Sequence, residues 1–134
     1  MLSDYLRPAK TKELHNISVQ GLAHVGDAVF ELMIRTWLCF DGTSTAKRLH
    51  ERAVNFVSAK AQASAADMII PKLDEEETSV YKRGRNTHLN SIPKGSTHEE
   101  YHSATGIEAL FGFLYLGGKH ERLNELFALI IKEN

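Results

Sequence analysis

The residues of this 134-residue chain best placed for chemistry are two carboxylates in apolar settings. Asp27 lies in "GLAHVGDAVFELMI" and Glu108 in "TGIEALFGFLYL". No cation stands one helical turn from either. The positions three and four residues from Asp27 are Ala23, His24, Phe30 and Glu31, and those around Glu108 are Ala104, Thr105, Phe111 and Gly112. Glu31 adds a second negative charge on the same face. An ionised carboxylate withdrawn from water costs several kcal/mol unless it is compensated. Each stretch also carries a glycine, Gly26 and Gly112, which costs about 1 kcal/mol relative to alanine inside a helix. Glycine lets two backbones approach closely. Helices crossing at Gly26 and Gly112 would make Asp27 and Glu108 face each other, so that one protonates or a cation sits between them. A hard divalent ion with oxygen ligands suits such a pair, and magnesium completes its shell with water and phosphate oxygens. That arrangement serves phosphodiester hydrolysis. The plainer alternative is that each carboxylate sits at the edge of a buried face and is simply hydrated. The residues alone leave both readings open.

The elements that must position these groups read as helices throughout, an all-α helical bundle. Apolar residues from Val19 to Leu38 cover most of a helix circumference, which predicts a central, buried helix. "FDGTST" ends it, with Asp41-Gly42 as turn chemistry and Ser44 or Thr45 as the next cap. "AKRLHERAV" is amphipathic and either runs on or breaks once into "NFVSAKAQASAADMII", which Pro71 ends. "KLDEEETSVYKRGRN" starts acidic and ends basic, the order that complements a helix dipole, with Gly84 where a stop would lie. Residues 86–97 read as an exposed loop containing Pro93 and Gly95. Thr97 with Glu100 matches a capping box, so a helix starts near His98 and stops at Gly117-Gly118. "HERLNELFALIIK" closes the set with an apolar stripe of Leu123, Leu126, Phe127 and Ile130.

Length predicts one domain over 1–134. Sixteen Lys and Arg against seventeen Asp and Glu give a net charge of −1, so any nucleic-acid partner must meet a local patch. "YKRGRN" supplies one: Lys82, Arg83 and Arg85 around a glycine, with Asn86 beside them and Lys94 in the following loop. Cations decorating a helix end for the dipole would look the same. Ser58, Lys60 and Gln62 recur at even spacing and read as solvated positions. His98 and His102 read as surface residues. The lone Cys39 excludes an internal disulfide and a zinc knuckle and suits a reducing compartment. "MLSDYLRPAK" is not a secretory signal and no apolar run is long enough to cross a bilayer, so the expectation is a soluble, cytoplasmic protein without a membrane partner.

In order along the chain, these segments resemble the ribonuclease III family, most closely its short Mini-ribonuclease III group, which lacks a double-stranded-RNA-binding domain. "LAHVGDAVFE" is similar to the first family signature and "ATGIEALFGFLYL" to the second, while "VSAKAQA" and "KRGRN" look like segments of the Mini group. The resemblance runs from about His15 to Leu126. It implies a homodimeric endoribonuclease that binds magnesium, with manganese as a substitute. Such an enzyme cuts both strands of duplex RNA, leaves 5′-phosphates and matures 23S ribosomal RNA precursors. Asp27 and Glu108 carry over as catalytic metal ligands. Lys60, Lys82, Arg83, Arg85 and Asn86 become the expected RNA contacts. Where larger relatives carry further carboxylates, this chain has Gln20, Ala23 and Thr105. One tightly held ion is therefore expected, with any second brought by substrate phosphate. The rival readings are a non-catalytic, ribosome-associated RNA-binding protein on the same fold and a helical structural module with hydrated carboxylates.

Overall fold

The computed structural model describes residues 4–87 and 95–132, and among these there is no strand. Seven α-helices follow in order: α1 (Thr11–Asn16), α2 (Val19–Phe40), α3 (Ala46–Val57), α4 (Ala59–Ile69), α5 (Glu75–Arg85), α6 (His98–Leu116) and α7 (His120–Lys132). A 3-10 turn, Ile70–Lys72, links α4 to α5, with Pro71 at its first position. Local chemistry sets most of these boundaries. The Thr45 hydroxyl accepts from the Arg48 N–H, so Thr45 and not Ser44 caps α3. Ser58 ends α3 and caps α4, which resolves the long amphipathic run into two helices. Thr97 and Glu100 form the expected box at the start of α6, and Gly118 closes its far end at φ 73°. Of the predicted 86–97 loop, residues 88–94, Pro93 and Lys94 among them, lie outside the described residues. Helix α1 follows a short entry held by an Arg7–Glu13 ion pair and had no signature in the apolar pattern.

Two expectations need correction. Helix α2 is not buried all round: Leu22, Val29, Phe30, Ile34 and Leu38 face the core, but Leu32 is 61% and Phe40 85% exposed. The central helix is α6, which packs on α2, α4, α5 and α7 and buries residues on every side from Ala104 to Leu114. Gly84 is the second correction. It lies inside α5, where a Cβ would come 2.7 Å from the Ala109 Cβ and 2.9 Å from the Thr105 carbonyl oxygen. Glycine there serves close packing on α6, and α5 instead ends at Asn86.

The main core gathers Phe30, Phe111 and Phe127, with ring centroids 5.3 and 6.4 Å from Phe30 to its two neighbours, edge to face. The buried Glu77 fixes α5 to α7. It accepts from Arg122 through both carboxylate oxygens, at 2.8 and 2.9 Å, and also closes the α5 capping box with Asp74.

Candidate active site

Helices α2 and α6 cross at the glycines. A Cβ on Gly26 would overlap the Glu108 carbonyl oxygen and stand 2.7 Å from the Gly112 nitrogen, while one on Gly112 would overlap the Leu22 carbonyl oxygen. Only backbone fits between the two axes, so the residues flanking the contact are forced together. Asp27 and Glu108 are those residues. Their carboxyls are close enough to act on each other, and Asp27 favours the protonated form of Glu108.

The two carboxylates sit in unequal surroundings. Asp27 is exposed, which favours for it the reading of a carboxylate at the edge of a buried face, and Glu108 is half-buried behind it. The Glu108 carboxyl is pushed up to about 8, first by burial and then by the hydrogen bond and negative charge of Asp27. Gln62 acts in the opposite direction. No ion pair among the described residues reaches either carboxylate. Glu31, one turn from Asp27, pairs with Arg35 on the same helix, so its charge is locally met.

This donor set suits a divalent cation. Both carboxyls offer hard oxygens from separate helices, and no ion pair among the described residues balances them. Among the described residues no third His, Cys, Asp or Glu joins them into a larger cluster. Of the positions where larger relatives carry further carboxylates, Ala23 and Thr105 are committed to packing, while Gln20 is exposed. Ala23 is buried in a cluster with Leu22, Val80 and Ala109, and the Thr105 hydroxyl donates to the Tyr101 carbonyl at 3.0 Å.

The expected RNA contacts fall into separate groups. Lys82, Arg83 and Asn86 line one open groove with Asp74, Glu75 and Thr78. Arg85 turns the other way: its guanidinium lies 5.8 Å from the Tyr81 ring centroid and its Nε donates to Asn86 at 3.3 Å. Arg85 and Asn86 share a second recess with Glu99, His102 and Ser103. His102 is half-buried there with a shielded, unpartnered Nδ1, so it is less of a surface residue than its spacing implied. Lys60 is exposed in a third groove formed by α3, α4 and Ile130, apart from the α5 cations.

Gln62 is the residue that sequence reasoning misplaced. It is 2% exposed and adjoins Glu108. The signal was present in a different register: Gln62, Ala65, Ala66 and Ile69 follow the spacing of an inward helical stripe, and all four are buried.

Residues 20–119 match the Ribonuclease III domain family. The chain belongs to that family, in its Mini-ribonuclease 3 group. It is 42% identical over 123 residues to the Mini-ribonuclease 3 of a Thermoanaerobacter species, covering 91% of this chain and 87% of that one. With the Enterococcus faecalis Mini-ribonuclease 3 it shares 41% identity over 124 residues, 91% and 92% of the two chains. A crystal structure of a protein from Fusobacterium nucleatum superposes with a TM-score of 0.82 at 33% identity, covering 90% of this chain and 96% of that one. The all-α fold and an endoribonuclease activity follow from this membership. Ribonuclease III enzymes depend in general on divalent metal, act on double-stranded RNA and typically work as dimers. No helix among the described residues is long and apolar enough to cross a membrane.

Proposed function

We propose that this chain is a magnesium-dependent endoribonuclease that acts in the cytoplasm as a homodimer of 1–134 catalytic domains and matures 23S ribosomal RNA precursors. The observation that carries the reading is the α2–α6 crossing, which sets Asp27 and Glu108 against each other with no cation to balance them. A bound magnesium or manganese ion would supply acidified water and stabilise the leaving oxygen. Asp27 and Glu108 would hold it, Asp27 from the open side and Glu108 from the buried side. Glu108 would give up its proton in doing so.

Duplex RNA is held largely through its backbone and shape. Lys82, Arg83 and Asn86 provide phosphate contacts on one side of the end of α5. Arg85, its guanidinium beside Tyr81, provides them on the other, and Lys60 extends the contact to α4. Lys60, Lys82 and Arg83 make no ion pair with the described residues, which leaves them available. Exposed Leu32 and Phe40 on α2 support a dimer face there. Trp37 does not belong to it, because it packs edge-on to Phe56 at 5.2 Å within the protomer, beneath Arg52.

Incubating duplex RNA and magnesium with the protein and with Asp27→Asn tests the reading. Cleavage by the parent, reduced at least about a hundredfold in the variant, supports it. Binding without cleavage by the parent would favour the RNA-binding alternative instead.

A further inference from the structure

Gln62 occupies a position that an apolar residue would fill at lower cost. It stands on the inward stripe of α4 with Ala65, Ala66 and Ile69, is 2% exposed, and its Nε2 has no hydrogen-bond partner. A buried amide donor left unmet is destabilising, whereas methionine or leucine there would carry no such penalty. The neighbour of Gln62 is Glu108, and no other described group competes for the donor.

Resting on the reading of Asp27 and Glu108 as metal ligands, we propose that Gln62 is a positioning residue. Once Glu108 is ionised around the ion it would share with Asp27, the unmet Gln62 amide is the donor that would bond its carboxylate and fix the direction in which it offers its oxygens. Glutamate has three side-chain torsions, and ordering them opposes binding. Gln62 is itself immobilised by packing, so it can impose one orientation on Glu108 without being ordered at the moment of binding. Hydrogen bonds from behind a ligating carboxylate typically change metal affinity or activity by about 10–100-fold. Gln62 also explains how two carboxylates can suffice: the third side chain at the site is a neutral donor that arranges one ligand and adds no further negative charge.

The test is Gln62→Met, with Gln62→Leu as a second variant of different shape. Manganese affinity is measured by calorimetry on the full chain without RNA, and thermal unfolding is recorded alongside. Duplex affinity in calcium and kcat in magnesium are then compared. The expected result is manganese binding weakened about tenfold and kcat lowered, with duplex affinity unchanged and the unfolding midpoint unchanged or raised. Manganese affinity and kcat equal to the parent's in a folded variant would overturn the proposal. So would a lowered midpoint with metal affinity intact, the signature of a residue kept only for packing. If the parent itself neither binds manganese nor cuts RNA, the metal-site reading fails first and the role of Gln62 falls with it.

Discussion

At Glu108, burial and the Asp27 charge act together, and the resulting carboxyl, at about 8, is a statement about both metal and stability. An ion entering the pair below that pH must displace a proton. Apparent magnesium affinity should therefore rise about tenfold per unit from pH 6 to about 8 and then level off, with close to one proton released per ion at neutral pH. Calorimetry in buffers of differing ionisation enthalpy reads both quantities. The same shift also acts on folding. A carboxyl whose folded value lies above its unfolded one leaves stability intact below the unfolded value and removes it as pH rises through the folded one. In chelator, Glu108→Gln should thus unfold later than the parent above pH 7, by on the order of 2 kcal/mol, and match it below pH 4. Equal midpoints at alkaline pH would show that the pair carries no such tension. The carboxylates themselves were legible as charged residues without a cation in apolar helices. Their unequal exposure was not, because sequence spacing cannot say how far a helix edge is covered by another helix. Gln62 was legible only when compared with Ala65, Ala66 and Ile69 in place of its polar neighbours.

Among the elements, the α2–α6 crossing determines the site, and its two glycines are irreplaceable for a stated reason. The atoms that a Cβ would strike belong to the opposing backbone, which no rotamer change can move aside. Gly26→Ala or Gly112→Ala should therefore cost more than about 3 kcal/mol in denaturant unfolding, well beyond the propensity change that favours alanine in a helix. A neutral result for either would mean that the helices do not meet there. The α5–α7 junction gives an independent test. Arg122 holds the Glu77 carboxyl below its ordinary range through hydrogen bonds and charge. That stability is complete at neutral pH and lost as pH falls through the lowered folded value. Arg122→Met should cost about 3 kcal/mol at pH 7 and flatten the acid side of the stability curve. The cap before α3, Pro71 after α4 and the Thr97–Glu100 box with the Gly117-Gly118 stop of α6 were legible from sequence alone, since they act within a few residues, whereas the break at Ser58 between α3 and α4 was left open. The rank of the helices was not legible this way. Helix α2 is apolar nearly all round and still exposes Leu32 and Phe40, while α6 takes the centre. Apolar composition does not distinguish a face covered by the same protomer from one left outside it.

For the whole molecule, a net charge of −1 means that RNA must be gathered by a few local cations rather than by the overall field. Replacing Arg83 and Arg85 together by alanine should lower the slope of log affinity against log salt by about two, with binding weaker at every salt concentration. An unchanged slope would remove the end of α5 from the RNA surface. The exposed apolar edge of α2 makes a second whole-molecule expectation: Leu32→Glu should shift the protein to monomer in analytical ultracentrifugation while leaving the helical signal intact. The central claim remains that two carboxylates, brought together by a glycine crossing, hold one divalent ion. Calorimetric titration of the RNA-free protein with magnesium, beside Asp27→Asn and Glu108→Gln, tests it most directly. The account predicts one ion per protomer for the parent and loss of that binding in both variants. Two tight ions in the parent, or binding retained in either variant, would contradict it.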